Sequence, residues 1–123
     1  MKMAKFVKFE VSKDLADKIY ESVEIAKNTG KLRKGVNETT KCIERGLAKL
    51  VIVASDVEPE EVLMHLPTLC NEKKVLCVEV PSKLELGKAA GIDVATSSIA
   101  IEETGDANRM VENVKKKVGA LEK

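Results

Sequence analysis

Residues 35–46 read Gly-Val-Asn-Glu-Thr-Thr-Lys-Cys-Ile-Glu-Arg-Gly and place a carboxamide, a carboxylate and cations on one short stretch. Asn37 reads as a helix N-cap and Gly46 as the C-terminal stop. The spacing therefore predicts a short helix whose free N–H groups and positive dipole end face whatever lies above Gly35. Gly35 lets such a ligand approach the backbone closely. On this helix Glu38, Lys41 and Arg45 follow i, i+3, i+7 and share one face, while Cys42 and Ile43 turn inward. A site for phosphate alone would repel Glu38. A carboxylate is useful there if it accepts hydrogen bonds from base N–H groups, with Asn37 donating and accepting beside it. Lys34, Lys41 and Arg45 can then reach phosphates, so the combination points to nucleic-acid bases presented at their edges.

The charge distribution supports the same face. Residues 31–49 hold six cations (Lys31, Arg33, Lys34, Lys41, Arg45, Lys49) and two acids (Glu38, Glu44), whereas the whole chain of 123 residues carries a formal charge of only +1. A basic patch on an otherwise slightly acidic chain is what an anion-binding surface produces. Competing chemistries find little. Cys42, Cys70 and Cys77 form no CxxC pair, and His65, the single imidazole, has neither zinc-ligand spacing nor an acid at triad-like spacing. Asp56 follows an apolar run, where receiver domains keep a phospho-acceptor, yet no paired acids follow an earlier strand. There is no GxGxxG and no P-loop. With aromatic residues at 2% and no Trp, stacking platforms for bases are also scarce.

The elements that must position these residues follow from periodicity. Leu15, Ile19, Val23 and Ala26 recur at helical spacing, with Ser12 as cap and Gly30 just past the end, which predicts a helix over 13–28. Met110, Val111, Val114, Val118 and Leu121 predict a closing helix capped by Asp106. Between them, residues 50–54, 75–78 and 98–101 are apolar and rich in β-branched side chains, as in strands covered on both faces. A further short strand is expected near Leu32. Pro59-Glu60-Glu61 fits a helix start, Pro67 a second turn, and Ser82-Lys83-Leu84-Glu85 a capping box whose helix stops at Gly91. The fold class expected is α/β, a three-layer α-β-α sandwich with a small central mixed sheet of about four strands, in a single domain over 1–123. No apolar stretch approaches a membrane span and the N-terminal stretch is too charged for a signal peptide, so a soluble cytoplasmic protein with reduced, buried thiols is expected.

Gly35-Val36-Asn37-Glu38-Thr39-Thr40-Lys41, followed by Lys49-Leu50-Val51-Ile52-Val53-Ala54-Ser55-Asp56-Val57-Glu58-Pro59 and then by the stretch from His65 to Gly91, resembles the ribosomal protein family of the L-seven-Ae type, which binds kink-turn RNA. The similarity runs from about Leu15 to Ile101, with the motifs in the family's order and spacing. The short ends and the Ile92-Asp93-Val94-Ala95 loop resemble archaeal large-subunit members. The resemblance implies that Asn37 and Glu38 read the guanines of tandem sheared G·A pairs with support from Lys41. It implies that Arg33, Lys34 and Gly35 form the strand end and turn that meet the RNA. It further implies that Glu58, Val62 and Lys83 hold a nucleotide flipped out of the bulge, and that Ile92, Val94 and Ala95 cover it. Val36 and Thr39 stand where many members carry smaller residues, and Val94 lies near where some relatives have an Arg.

The function this implies is non-enzymatic: capture of kink-turns in ribosomal, box C/D and box H/ACA guide RNAs and ribonuclease P RNA, nucleating ribonucleoprotein assembly. The implied partners are the large ribosomal subunit, a Nop-type core protein with fibrillarin, and the pseudouridine synthase complex. No cofactor is implied, and the free protein is expected to be a monomer. The alternative from the residues alone is a small nucleotide- or phosphate-binding α/β domain with a regulatory or enzymatic role, using the helix start at Gly35 to Lys41.

Overall fold

The computed structural model describes residues 9–10, 13–55 and 60–122. Helix α1 (Lys13–Thr29) leads through Gly30 into β2 (Lys31–Lys34), which is followed by α2 (Val36–Glu44) and β3 (Leu50–Ala54). Then come α3 (Glu60–Lys73), β4 (Cys77–Val80), α4 (Lys83–Ala89), β5 (Ser98–Glu103) and α5 (Asn108–Glu122). A two-residue strand, β1 (Phe9–Glu10), precedes α1. The sheet order is β1-β4-β3-β5-β2. Strands β1, β4 and β3 run parallel, and β5 is antiparallel to both β3 and β2. The fold is therefore the expected α/β sandwich on a mixed sheet of four strands, to which β1 adds a short edge.

All five residues of β3 are fully buried, as an apolar run covered on both faces requires. Helices α2 and α3 pack together, while α1 packs with α4 and α5, which gives the three layers. The core is aliphatic, with Ile19, Ile43, Ile52, Leu66, Leu86, Ile99 and Ile101 among its largest fully buried side chains. Cys42, Cys70 and Cys77 are buried and unbridged. Gly30 earns its place by proximity, since a Cβ there would collide with the Glu103 carbonyl where β2 meets β5.

Several boundaries differ from the sequence reading. Strand β4 begins at Cys77 and not Val75, because the Val75 N–H is taken by the Cys70 carbonyl as the chain leaves α3, and Lys74 adopts a positive φ of 61°. Helix α3 runs through Pro67 without a break. A proline there costs one helical hydrogen bond, but Leu66 and Cys70, one turn apart, anchor the surrounding turns in the core. Asp106 lies in a 3₁₀ turn, Gly105–Ala107, ahead of α5, and its backbone N–H bonds the Thr29 hydroxyl at 2.8 Å. The proposed cap Ser12 and the residues Asp56 to Pro59 lie outside the described residues.

Antiparallel β5 brings its first residue to the same edge as the last residues of β2, β3 and β4. Lys34 pairs with Ile99, Val53 with Ser98, and Ala54 with Val80. The segments beyond these strand ends, α2, the start of α4 and the 92–97 loop, thus emerge at one end of the sheet.

Candidate nucleic-acid interface

Helix α2 begins one residue after β2 ends, and Gly35 makes that turn. Its φ of 88° and ψ of 164° fall in a region open essentially to glycine alone. Its N–H donates to the Ser98 carbonyl at 2.9 Å, and its carbonyl accepts the Thr39 N–H at 2.9 Å. Gly35 is therefore the N-cap, and no side chain caps the helix. This corrects the reading of Asn37 as cap. Asn37 sits inside the first turn and is exposed, so its carboxamide is left to face outward. Glu38 follows it, also exposed, and the first-turn position favours its charge.

The far end of α2 closes as the sequence reading expected. Gly46, at φ 74°, donates to the Ile43 carbonyl, and Leu47 donates to the Cys42 carbonyl, the paired bonds of a Schellman ending. Thr39, Cys42 and Ile43 are buried, while Lys41 and Arg45 are exposed on the face shared with Glu38. Burial pushes the Cys42 thiol up, with the Glu102 charge adding to it.

Arg33 plays a different part from the other cations. Its Nε donates to Glu102 Oε1 at 2.7 Å, and its Nη1 lies 3.7 Å from Glu38 Oε1. The hydrogen bond to Glu102, and then that carboxylate's charge, hold the guanidinium still more firmly in its charged form. Arg33 thus tethers Glu38 to the sheet through Glu102 of β5. Lys34, beside it, is exposed.

The 92–97 loop packs on α4. Ile92 donates to the Gly87 carbonyl and Thr96 to the Lys83 carbonyl, so the loop is laced to both turns of α4. Gly87 permits this approach, since a Cβ there would collide with the Val94 carbonyl. Val94 is 65% exposed, the most exposed large apolar side chain among the described residues; Ala95 is exposed and Ile92 half-buried. Lys83 opens α4, whose N-cap Ser82 accepts the Glu85 N–H at 3.1 Å as the capping-box spacing predicts. Arg33, Lys34, Gly35, Asn37, Glu38, Lys41 and Arg45 therefore lie along β2 and α2, and Lys83, Ile92, Val94 and Ala95 adjoin them across β5. Val62 falls on α3 and its side chain, like the whole of Glu58, lies outside the described residues.

The arrangement offers a hydrogen-bonding carboxamide and carboxylate at a helix start, flanked by cations on one side and exposed apolar groups on the other. Residues 17–111 match the ribosomal protein L7Ae/L30e/S12e/Gadd45 family. The chain belongs to this family. Among solved structures of similar shape is the Giardia lamblia 15.5kD RNA binding protein, 32% identical, with 90% of this chain and 92% of that one covered and a TM-score of 0.85.

For this L7Ae/L30e/S12e/Gadd45 family member, the structure adds residues that the sequence reading passed over. Leu84, next to Lys83, is 49% exposed. A signal for it existed: the buried positions of α4 and its C-cap are Leu86, Gly87 and Ala90, and Leu84 is off that stripe. Thr39, Thr96 and Ser98 form a buried hydroxyl seam behind the surface. They sit in polar stretches of the sequence, where nothing marks them as buried, and only the fold brings them together. No group of His, Cys, Asp and Glu among the described residues is arranged to hold a metal ion, and no described helix is long and apolar enough to cross a membrane.

Proposed function

We propose that this protein binds RNA, and that it recognises kink-turns: sharply bent internal loops with tandem sheared G·A pairs beside a short bulge. The observation that carries the reading is the convergence, at one end of the sheet, of the exposed Asn37 and Glu38 at the start of α2 with the exposed Val94 loop and Lys83. Family membership and the similarity to an RNA-binding protein support it. Asn37 and Glu38 read base edges, Lys34, Lys41 and Arg45 contact phosphates, and Ile92, Val94 and Ala95 cover an extruded nucleotide. Glu58, Val62 and Lys83 complete that nucleotide's surroundings.

Two RNA stems joined by a short bulge repel one another through their phosphates, so the free RNA populates the bent form only in part. A protein that binds the bent form alone shifts the population toward it, and binding energy appears as RNA folding. The bent RNA then serves as a nucleus for assembly, in ribosomal, guide or ribonuclease P RNA, with the large ribosomal subunit or the Nop-type, fibrillarin and pseudouridine synthase proteins as partners. From the resemblance of the 92–95 loop we further propose an archaeal member, and we place its action in the cytoplasm.

A gel-shift titration with two hairpins of equal length tests the reading. One carries a three-nucleotide bulge beside tandem G·A pairs; in the other those pairs are Watson–Crick. Tight binding to the first alone is expected. Equal, weak binding to both would reduce the site to a generic basic patch and overturn the assignment.

A further inference from the structure

The two halves of the interface come from segments about sixty residues apart, and one carbonyl ties them together. The Ser98 carbonyl accepts the Gly35 N–H at 2.9 Å and the Thr96 hydroxyl at 3.2 Å. The first bond holds the N-cap of α2, and the second holds the end of the 92–97 loop. Thr96 also donates its own N–H to the Lys83 carbonyl at 3.2 Å, which carries the connection to the start of α4. On the other side of Ser98, its hydroxyl donates to the Thr39 hydroxyl of α2 at 3.5 Å.

These hydroxyls stand where apolar groups would serve packing better. Thr39 and Ser98 are fully buried and Thr96 is 8% exposed, while the residues that follow in β5, Ile99, Ala100 and Ile101, are apolar and fully buried. A buried hydroxyl costs stability unless it is hydrogen-bonded, and a valine would fill the volume of Thr96 without that demand. What the Thr96 hydroxyl supplies, and valine would not, is the link between the loop and the carbonyl that sets α2.

We propose that Thr96 is a positioning residue, which fixes the 92–95 loop relative to the first turn of α2 so that both halves of the surface meet a ligand as one rigid template. The inference rests on the RNA-binding reading above. A loop held in place before binding has less freedom to lose on binding, so its exposed side chains contribute more fully to affinity. Thr96 itself touches no ligand. Its effect passes through the loop's side chains and not through the cations of α2.

The test is a double-mutant cycle on the full chain, with the bulged G·A hairpin as probe. Thr96→Val should weaken binding about fivefold, the scale of one lost internal hydrogen bond, and Thr96→Ser should stay within about twofold of wild type. Val94→Ala should lose most of its effect in the Thr96→Val background, while Lys41→Ala should cost the same in both backgrounds. A purely structural Thr96 would lower thermal stability yet leave the Val94→Ala effect unchanged, and that result overturns the proposal. So does unchanged binding by a folded Thr96→Val protein.

Failure of the wild-type protein to prefer the bulged hairpin would instead refute the RNA reading. Amide hydrogen exchange in the wild-type protein gives a second check, independent of whether any variant folds. Gly35 and Thr96 should be protected to within about tenfold of each other, as amides opening in one unit are. A Thr96 amide exchanging about a thousandfold faster than Gly35 would show that the loop is not held, and would overturn the proposal.

Discussion

Replacing Gly35 with alanine separates backbone geometry from crowding. An added Cβ at Gly35 meets nothing within 4 Å, so the side chain itself clashes with no neighbour. The cost arises from φ 88° and ψ 164°, a conformation that other residues adopt at about 1–3 kcal/mol. For a domain of this size that corresponds to a fall in Tm of about 3–5 °C per kcal/mol. The chain can relieve the strain only by rotating Gly35, which pulls its N–H from Ser98 or its carbonyl from Thr39. Either movement shifts the first turn of α2 and misaims Asn37 and Glu38. Losing one base contact costs about 1–3 kcal/mol, so Gly35→Ala should bind the bulged hairpin about 5- to 150-fold more weakly.

The control is Gly46→Ala at the opposite end of the same helix. Gly46 has φ 74° and equally open surroundings. It should lose stability on a similar scale, about 1–2 kcal/mol, while RNA affinity stays within about twofold of wild type, since α2 keeps its start. Urea unfolding and RNA titration of both variants, under conditions where both are folded, decide the matter. If Gly35→Ala unfolds like wild type, or Gly46→Ala loses as much affinity as Gly35→Ala, the assignment of strain and site to Gly35 is wrong.

Three further outcomes are expected. Asn37→Ala or Glu38→Ala should weaken binding to the bulged hairpin by about 1–3 kcal/mol and leave the Watson–Crick hairpin unaffected, and contact by roughly four cations should give a log–log salt slope of about −3 to −4; equal losses on both RNAs would place these side chains outside base readout. Gly87→Ala should drive the loop off α4 at Val94, costing about 1–3 kcal/mol of stability and reducing RNA affinity; a neutral result in urea unfolding would mean that the loop yields freely. The thiol of Cys42, raised by burial, favours the protonated form in the folded state, so its contribution is present below the ordinary thiol range near pH ~8.5 and is lost as pH rises through the higher folded-state value. Unfolding free energy from pH 7.5 to 10 should therefore fall more steeply for wild type than for Cys42→Ala, and parallel slopes would contradict this linkage.

Local patterning made most of the architecture legible. Apolar periodicity marks α1 and α5, the β-branched runs mark β3 and β5, and the Ser82–Glu85 spacing marks the start of α4, because each depends on residues within a turn or two of one another. The composition of α2, a carboxamide and a carboxylate beside cations, marked the candidate surface for the same reason. Tertiary structure decided what depended on distant partners. Ser98 takes the Gly35 N–H, which moves the cap from Asn37 to Gly35 and turns Asn37 outward. Glu102 takes Arg33, which converts a free-seeming cation into a tether for Glu38. Core contacts on both sides of Pro67 carry α3 through a residue that would end an isolated helix. In each case the deciding hydrogen bond, charge or packing contact comes from outside the segment, so spacing along the chain carries no trace of it, and only the folded sheet brings the partners within reach.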